Sequence, residues 1–246
     1  MLTTANKVVA LSTFEKITIE SLYNISDVKI LPNAVDTKVY QLTNAHKNRD
    51  KLKFLFMGRL HESKGIELVI NAFEALVKRG YQIELLICGN GPLKDLVQRK
   101  AEGNVDIKYG GTVLGKRKID IMNECDIFLL PSLYGEGIPM ALLEAMACGL
   151  VPIVSNDGSM KYIIEDYTNG FLVNTNSVHD LTEKMEKIIK DKSLLSVLST
   201  NAVNTVTSDF SITDYLQRLN RLYENSPIKT EKLSEKSNNY NESIIL

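Results

Sequence analysis

From residue 53 onward, short unbroken apolar runs alternate with longer stretches whose apolar positions recur every three or four residues. The runs at 53–57 (KFLFM), 83–88 (IELLIC), 105–109, 126–130 (DIFLL), 151–155 (VPIVS) and 170–173 read as strands. Between them the periodicity predicts helices over 65–78, from Gly89-Asn90-Gly91-Pro92 to about residue 100, over 116–122, from near Pro139 to a stop at Gly149, and over 160–165. Continuously apolar strands alternating with helices indicate a parallel sheet covered on both faces, a doubly wound, Rossmann-like α/β fold. Sheets of this kind bind ligands in the crevice outside the carboxyl ends of their strands.

The flanks differ in character. Residues 1–32 carry one strand–helix–strand unit (7–12, 14–23 and 28–31), and Pro32-Asn33-Ala34-Val35-Asp36 is a turn signal. Residues 33–51 are polar without periodicity and read as a linker to the sheet domain, placed at 52–208. Helices are predicted over 178–190 and 193–207. A last amphipathic helix over 212–223, with Tyr215, Leu219 and Leu222 on one face, forms a segment at 209–225. Residues 226–246 are polar and charged and read as a disordered tail.

The stretch GEGIPMALLEAMACGLVPIV, from Gly135 to Val154, stands out. Glu144 is the only charged residue between Pro139 and Val154, on a helix apolar nearly all round and therefore predicted to be buried. A carboxylate there is costly unless it is paired, hydrogen-bonded or open to a cleft. Glu136 lies at the mouth of the same helix. The two carboxylates are candidates to line a ligand site. A helix-dipole role for Glu136 and a structural ion pair for Glu144 are the alternatives.

Composition narrows the field. The 246 residues include 29 Lys and Arg against 30 Asp and Glu, a net charge of −1 that gives no reason to expect a nucleic acid partner. Cys88, Cys125 and Cys148 lie in or beside apolar runs with no paired spacing. They read as buried hydrophobes in a reducing compartment. No signal peptide is apparent in the first ten residues, and no apolar run approaches the roughly 20 residues that span a bilayer. A cytoplasmic location is expected, with any membrane contact peripheral. There is no Asp-x-Asp pair, no Cys/His cluster, no G-x-G-x-x-G after a strand and no phosphate-loop or nucleophile-elbow motif. No metal or cofactor is expected.

Four loops fall at predicted strand carboxyl ends. In the first, Gly58 to Gly65, Arg59 and Lys64 lead into a helix N-terminus, a place suited to a phosphate group, although solvated loop cations would look the same. His61 reads as a solvated loop histidine. The second, around Asn90, has glycines that allow close backbone approach. The third, Gly110-Gly111-Thr112-Val113, could pass along a flat base or be a plain turn. The fourth holds Glu136.

Taken in order, these elements resemble the C-terminal half of family 4 retaining glycosyltransferases of the GT-B type. The resemblance rests on Pro32-Asn33-Ala34-Val35-Asp36, Gly58-Arg59-Leu60 with Lys64-Gly65, Gly89-Asn90-Gly91-Pro92, and Tyr109-Gly110-Gly111-Thr112-Val113. It extends through Pro131-Ser132, the Glu136/Glu144 pair at E-x7-E spacing and Asn169-Gly170-Phe171-Leu172-Val173, to the final helix between Phe210 and Tyr223. It implies transfer of a sugar from a UDP- or GDP-linked donor to a glycan or lipid-linked acceptor. Arg59 and Lys64 would neutralise the diphosphate without a metal, Glu136 would face the transferred sugar, and Glu144 would hold the ribose. Gly58, Asn90, Thr112, Val113, Gly137, Ile138, Pro139, Met140 and Ala141 would complete the donor site.

Three departures from the family pattern are visible. Pro139 replaces a glycine and removes one N–H donor, so that Met140 and Ala141 would serve instead. Tyr162, in Gly158-Ser159-Met160-Lys161-Tyr162, stands where an acidic residue is usual. Residues 1–31 match only the end of the family's N-terminal acceptor-binding domain. Three readings follow: a donor-binding half that needs a second polypeptide or belongs to a longer product, an autonomous transferase, or a non-catalytic nucleotide-sugar sensor.

Overall fold

The computed structural model describes residues 5, 7–43, 51–134 and 136–224. The expected tail at 226–246, part of the expected linker and Gly135 lie outside the described residues. The chain begins with β1 (Val9–Ala10), α1 (Thr13–Tyr23) and β2 (Lys29–Ile30), in which β1 and β2 pair in parallel as a separate two-stranded sheet. Both strands are shorter than the apolar runs that predict them. Ser12 Oγ accepts the Glu15 N–H and starts α1, while Glu15 Oε2 accepts the Leu11 N–H.

The main sheet holds β3 (Leu52–Met57), β4 (Ile83–Cys88), β5 (Ile107–Gly111), β6 (Ile127–Leu130), β7 (Val151–Ser155) and β8 (Phe171–Val173) in the order β5-β4-β3-β6-β7-β8, with every pairing parallel. The chain builds outward from β3 to β5, then returns to the other side of β3 for the remaining strands. The connections leaving β3 and β6 therefore diverge and open a crevice at their carboxyl ends.

Burial explains the continuous apolar strands. Phe54, Leu55, Phe56, Ile127, Phe128 and Leu129 are fully enclosed, and each large side chain of this kind contributes roughly 1.5–3 kcal/mol. The covering helices are α2 (Ile66–Lys78), α3 (Lys94–Glu102), α4 (Gly115–Glu124), α5 (Met140–Ala147), α6 (Val178–Lys190) and α7 (Ser193–Asp209). α2 buries Ile66, Val69, Ile70, Ala72, Phe73 and Leu76, which is the face predicted from its periodicity. Cys88, Cys125 and Cys148 are buried free thiols, in keeping with their reading as small hydrophobes.

Two expectations change. Gly110 and Gly111 are not loop residues but the end of β5, where the ladder slips a register at Ile87/Cys88. A Cβ on Gly110 would come within 2.8 Å of Cys88 Sγ, so glycine lets the strand continue past the sulfur. The predicted helix over 160–165 is a 3-10 turn at Met160–Tyr162, and Tyr162 is exposed.

The N-terminal unit is fastened to the sheet domain from several sides. Val35 bridges to Ser211, donating to Phe210 O at 2.9 Å and accepting from Ile212 N at 3.0 Å. Ser159 Oγ donates to Ser12 Oγ at 2.6 Å, and Asn33 Nδ2 donates to Ile138 O at 2.7 Å. The last helix, α8 (Ile212–Glu224), runs back along this unit, where Lys7 Nζ donates to Leu222 O at 2.8 Å. Part of the expected linker is thus anchored, with Val35 buried.

Candidate functional site

The loops after β3 and β4 rest on each other. Leu60 N donates to Asn90 O at 2.9 Å, and Leu93 N to Leu60 O at 3.0 Å. Gly89 has φ +142°, and a Cβ there would fall 1.8 Å from Gly58 O, so only glycine permits this contact. The first loop then enters a 3-10 turn, Glu62–Lys64, capped by His61. His61 Nδ1 accepts the Ser63 N–H at 3.1 Å, so this histidine has a structural task rather than merely standing in solvent.

The same loop is locked to the one after β6. Leu133 N donates to Ser63 O at 2.8 Å. A Cβ on Gly65, at φ +69°, would lie 2.1 Å from Pro131 O. This docking brings Lys64 to Glu136: Nζ lies 2.5 Å from Oε1. Ser132 Oγ donates to the same oxygen at 2.6 Å. The Glu136 side chain is only 9% exposed, and the ion pair and hydrogen bond offset the cost of burying its charge. Arg59 is exposed and makes no ion pair among the described residues.

Pro139 caps α5 in an extended conformation (φ −67°, ψ 124°) and gives no side-chain hydrogen bond. The N–H groups of Met140 and Ala141 belong to the first turn, which has no intrahelical acceptors. One turn on, Glu144 is buried, its side chain 8% exposed, and ion-paired through Oε2 with Lys118 of α4. That oxygen is enclosed and makes no hydrogen bond of good geometry, so the pairing with Lys118 is electrostatic. The Tyr40 hydroxyl faces the same carboxylate. Burial, and then the Glu144 charge, push the Tyr40 phenol up to about 12. The Lys118 ammonium also stands 5.8 Å from the Tyr40 ring centroid.

A cleft of about 320 Å³ is lined by the turns after β3, β4 and β5, by Lys118 and by Ala141. Of the residues singled out in the sequence, Gly58, Arg59, Asn90, Thr112, Val113 and Ala141 line it. Lys64 and Glu136 meet between the loops after β3 and β6, Gly137 packs against Glu15 and Leu11 of the N-terminal unit, and Pro139 and Met140 start α5. These residues and Glu144 are not among those lining the cleft. Ile138 is buried and its carbonyl is taken by Asn33. Among the described residues no three His, Cys, Asp or Glu side chains gather as a metal site.

Sequence reasoning missed Ser132, Lys118 and Tyr40 as individual participants. A signal existed for Lys118. Lys116, Arg117 and Lys118 crowd the first turn of α4, where the helix dipole disfavours cations, and that turn has no acidic residue. Tyr40 sits in a polar stretch and left no periodic trace.

Comparison with known proteins decides the family. The glycosyl transferases group 1 profile matches residues 41–205. The chain belongs to this family. It is 28% identical over 232 residues to an uncharacterised glycosyltransferase of Methanocaldococcus jannaschii, covering 89% of this chain and 58% of that protein. It is 26% identical over 223 residues to the UDP-Gal:alpha-D-GlcNAc-diphosphoundecaprenol alpha-1,3-galactosyltransferase of Escherichia coli, covering 85% and 57%. Among solved structures, sucrose-phosphate synthase from Thermosynechococcus elongatus superposes with a TM-score of 0.80 at 21% identity, covering 90% of this chain and 58% of that one. Anabaena HepE in complex with UDP gives 0.79 at 20% identity, covering 89% and 64%. The fold is thus the Rossmann-like sheet domain of GT-B glycosyltransferases, and the chain spans somewhat over half the length of these relatives.

Proposed function

We infer that this chain supplies the donor site of a retaining GT-B glycosyltransferase, which moves a sugar from a UDP- or GDP-linked donor to a glycan or lipid-linked acceptor. The observation that carries this reading is the placement of Lys64 against Glu136 at the switch point of the sheet, with Arg59, exposed and without an ion pair among the described residues, in the lining of the open cleft. Charge grows on the leaving nucleoside diphosphate as the bond to the sugar breaks. Arg59 and Lys64 neutralise that charge, aided by the first-turn N–H groups of α5. One Glu136 oxygen is held by Lys64 and Ser132, and the other is left to accept sugar hydroxyls. Glu136 accordingly orients the sugar and is not assigned as a nucleophile. Glu144 takes the ribose hydroxyls.

UDP is the favoured diphosphate, since the E. coli relative is named for a UDP-sugar and the Anabaena structure holds UDP. The acceptor class follows the E. coli relative's lipid-linked diphosphate substrate and the Staphylococcus aureus relative named for capsular polysaccharide biosynthesis. Among the described residues no helix is long and apolar enough to cross a membrane, and a cytoplasmic protein meeting the membrane at most peripherally fits this chemistry.

A second reading has its own support: a donor-binding half or sensor, inactive without a partner that carries the acceptor domain. α1 buries no residue, and Phe14, Ile17, Leu22 and Tyr23 are exposed on it. Exposed apolar surface of this kind marks an interaction site. Titration calorimetry with UDP- and GDP-sugars tests the donor site, and no binding by the folded chain would overturn it. Turnover by the chain alone, lost in Glu136→Ala and Lys64→Ala, separates the autonomous enzyme from the partner-dependent half.

A further inference from the structure

The Glu144 carboxylate lies within α5, and its partners come from elsewhere in the chain. We propose that Lys118 and Tyr40 are positioning residues for Glu144, together fixing its buried carboxylate where it meets the ribose of the nucleotide. The proposal rests on the donor-site reading above and extends it to two residues outside the loop motifs.

Glu144 sits on the second turn of α5 among Leu142, Leu143, Ala145 and Met146, all fully or nearly fully enclosed. In such surroundings a carboxylate is costly to bury without a partner. Lys118 supplies one. Its ammonium reaches Oε2 from α4, with the side chain only 19% exposed, and it lines the cleft beside Gly58, Arg59 and Ala141. Its stem is largely enclosed while the charge is kept at the carboxylate.

Tyr40 closes the other side. It belongs to the segment between the N-terminal unit and β3, packs on the core and faces Glu144 with its hydroxyl. Its ring stands beside the Lys118 ammonium, so one aromatic group restrains both members of the ion pair. Cys148, one turn after Glu144, feels the same charge: burial and then the Glu144 carboxylate push its thiol up to about 12. Around this carboxylate, then, one cation faces a phenol and a thiol that both stay neutral. The result is a single fixed carboxylate, its Oε2 enclosed and held by Lys118, which itself lines the cleft. A pair of vicinal hydroxyls is the ligand chemistry that such a carboxylate takes, since it accepts hydrogen bonds and repels phosphate.

A double-mutant cycle read by calorimetry tests this, using UDP and GDP as probes with the full chain. Lys118→Met and Glu144→Gln are each expected to weaken the bound nucleotide by about ten-fold, the size of one charge-assisted hydrogen bond. The double variant is expected to be no weaker than Glu144→Gln alone, because Lys118 acts through that carboxylate. Lys118→Arg should recover affinity to within about three-fold of wild type, and Tyr40→Phe should cost about three-fold only while Glu144 is present. Losses that multiply toward a hundred-fold in the double variant would overturn the proposal and make Lys118 a direct phosphate contact. Wild-type affinity in Lys118→Met would overturn it as well. Failure of the wild-type chain to bind either nucleotide removes the donor-site reading itself, an outcome distinct from both.

Discussion

Lys64 and Glu136 meet at 2.5 Å although 72 positions of sequence separate them, because β3 and β6 are neighbours in the sheet and their connections leave in opposite directions. The pair joins a group suited to the diphosphate with one suited to the sugar, so changes at its two ends should separate in a kinetic assay. Lys64→Ala is expected to raise the donor Kd by about ten-fold or more, having removed a cation from a partly buried site. Glu136→Gln keeps the volume and can still accept from Ser132. It should leave donor affinity within about three-fold while lowering turnover by about a hundred-fold, if its charge is used only as the sugar is transferred. Calorimetry and product formation on the same preparations, with any partner that turnover requires, check both.

Gly65 should tolerate no side chain. Its φ is +69° and a Cβ would meet Pro131 O at 2.1 Å, inside the contact that docks the Lys64 turn on the loop after β6. Gly65→Ala is expected to lower stability by about 1–3 kcal/mol and to weaken donor binding more than a surface control does. Thermal melts and calorimetry read the two effects. Unchanged donor affinity in a destabilised variant would mean that this docking does not set the site.

The buried thiols give the chain a sensitivity to alkaline pH. Burial raises Cys88 from an ordinary value of 9.0 to about 11, and Cys148 to about 12. Both pKa values lie above those of the unfolded chain, so the unfolded state releases these protons first. Their stabilising effect is fully present below pH 9 and is lost as pH rises through 11 and 12. The melting temperature should fall by several degrees between pH 9 and 11, less steeply in Cys148→Ala. At pH 8 a thiol reagent should label Cys88 and Cys148 only after denaturant is added, which mass spectrometry can follow.

On the proposed reading Arg59, Lys64 and the first-turn N–H groups of α5 neutralise the diphosphate, while Lys118 is committed to Glu144. Removing divalent metal with a chelator is therefore expected to leave UDP affinity within about two-fold. A ten-fold loss, restored by magnesium or manganese, would show that these side chains do not suffice.

Much of the sheet was legible because its strands are buried on both faces and therefore uninterrupted: the runs at β3, β4, β6 and β7 predict those strands to within a residue. The ends of the chain were less legible. β1 and β2 are two-residue pairs within longer apolar runs, since residues such as Val9 and Ile30 are apolar yet exposed. At the site, the loop cations and glutamates announced themselves by composition. Which cation meets which carboxylate did not, because the Lys64–Glu136 and Lys118–Glu144 pairings are set by strand order and helix packing rather than by local spacing. Tyr40 was hidden for the same reason, as a residue of a polar stretch held by contacts distant in sequence.

The fastening of the N-terminal unit also bears on how the chain assembles during synthesis. Lys7 reaches Leu222 across 215 positions, and Val35 waits for Ser211. Contacts so far apart carry a large loop-closure cost and form late. The parallel sheet can collapse as its strands leave the ribosome, but β1, α1 and β2 gain these anchors only once α8 has emerged. Asn33 and Ser12 can reach Ile138 and Ser159 earlier, so nascent chains stalled before α8 should carry an N-terminal wall held on one side only.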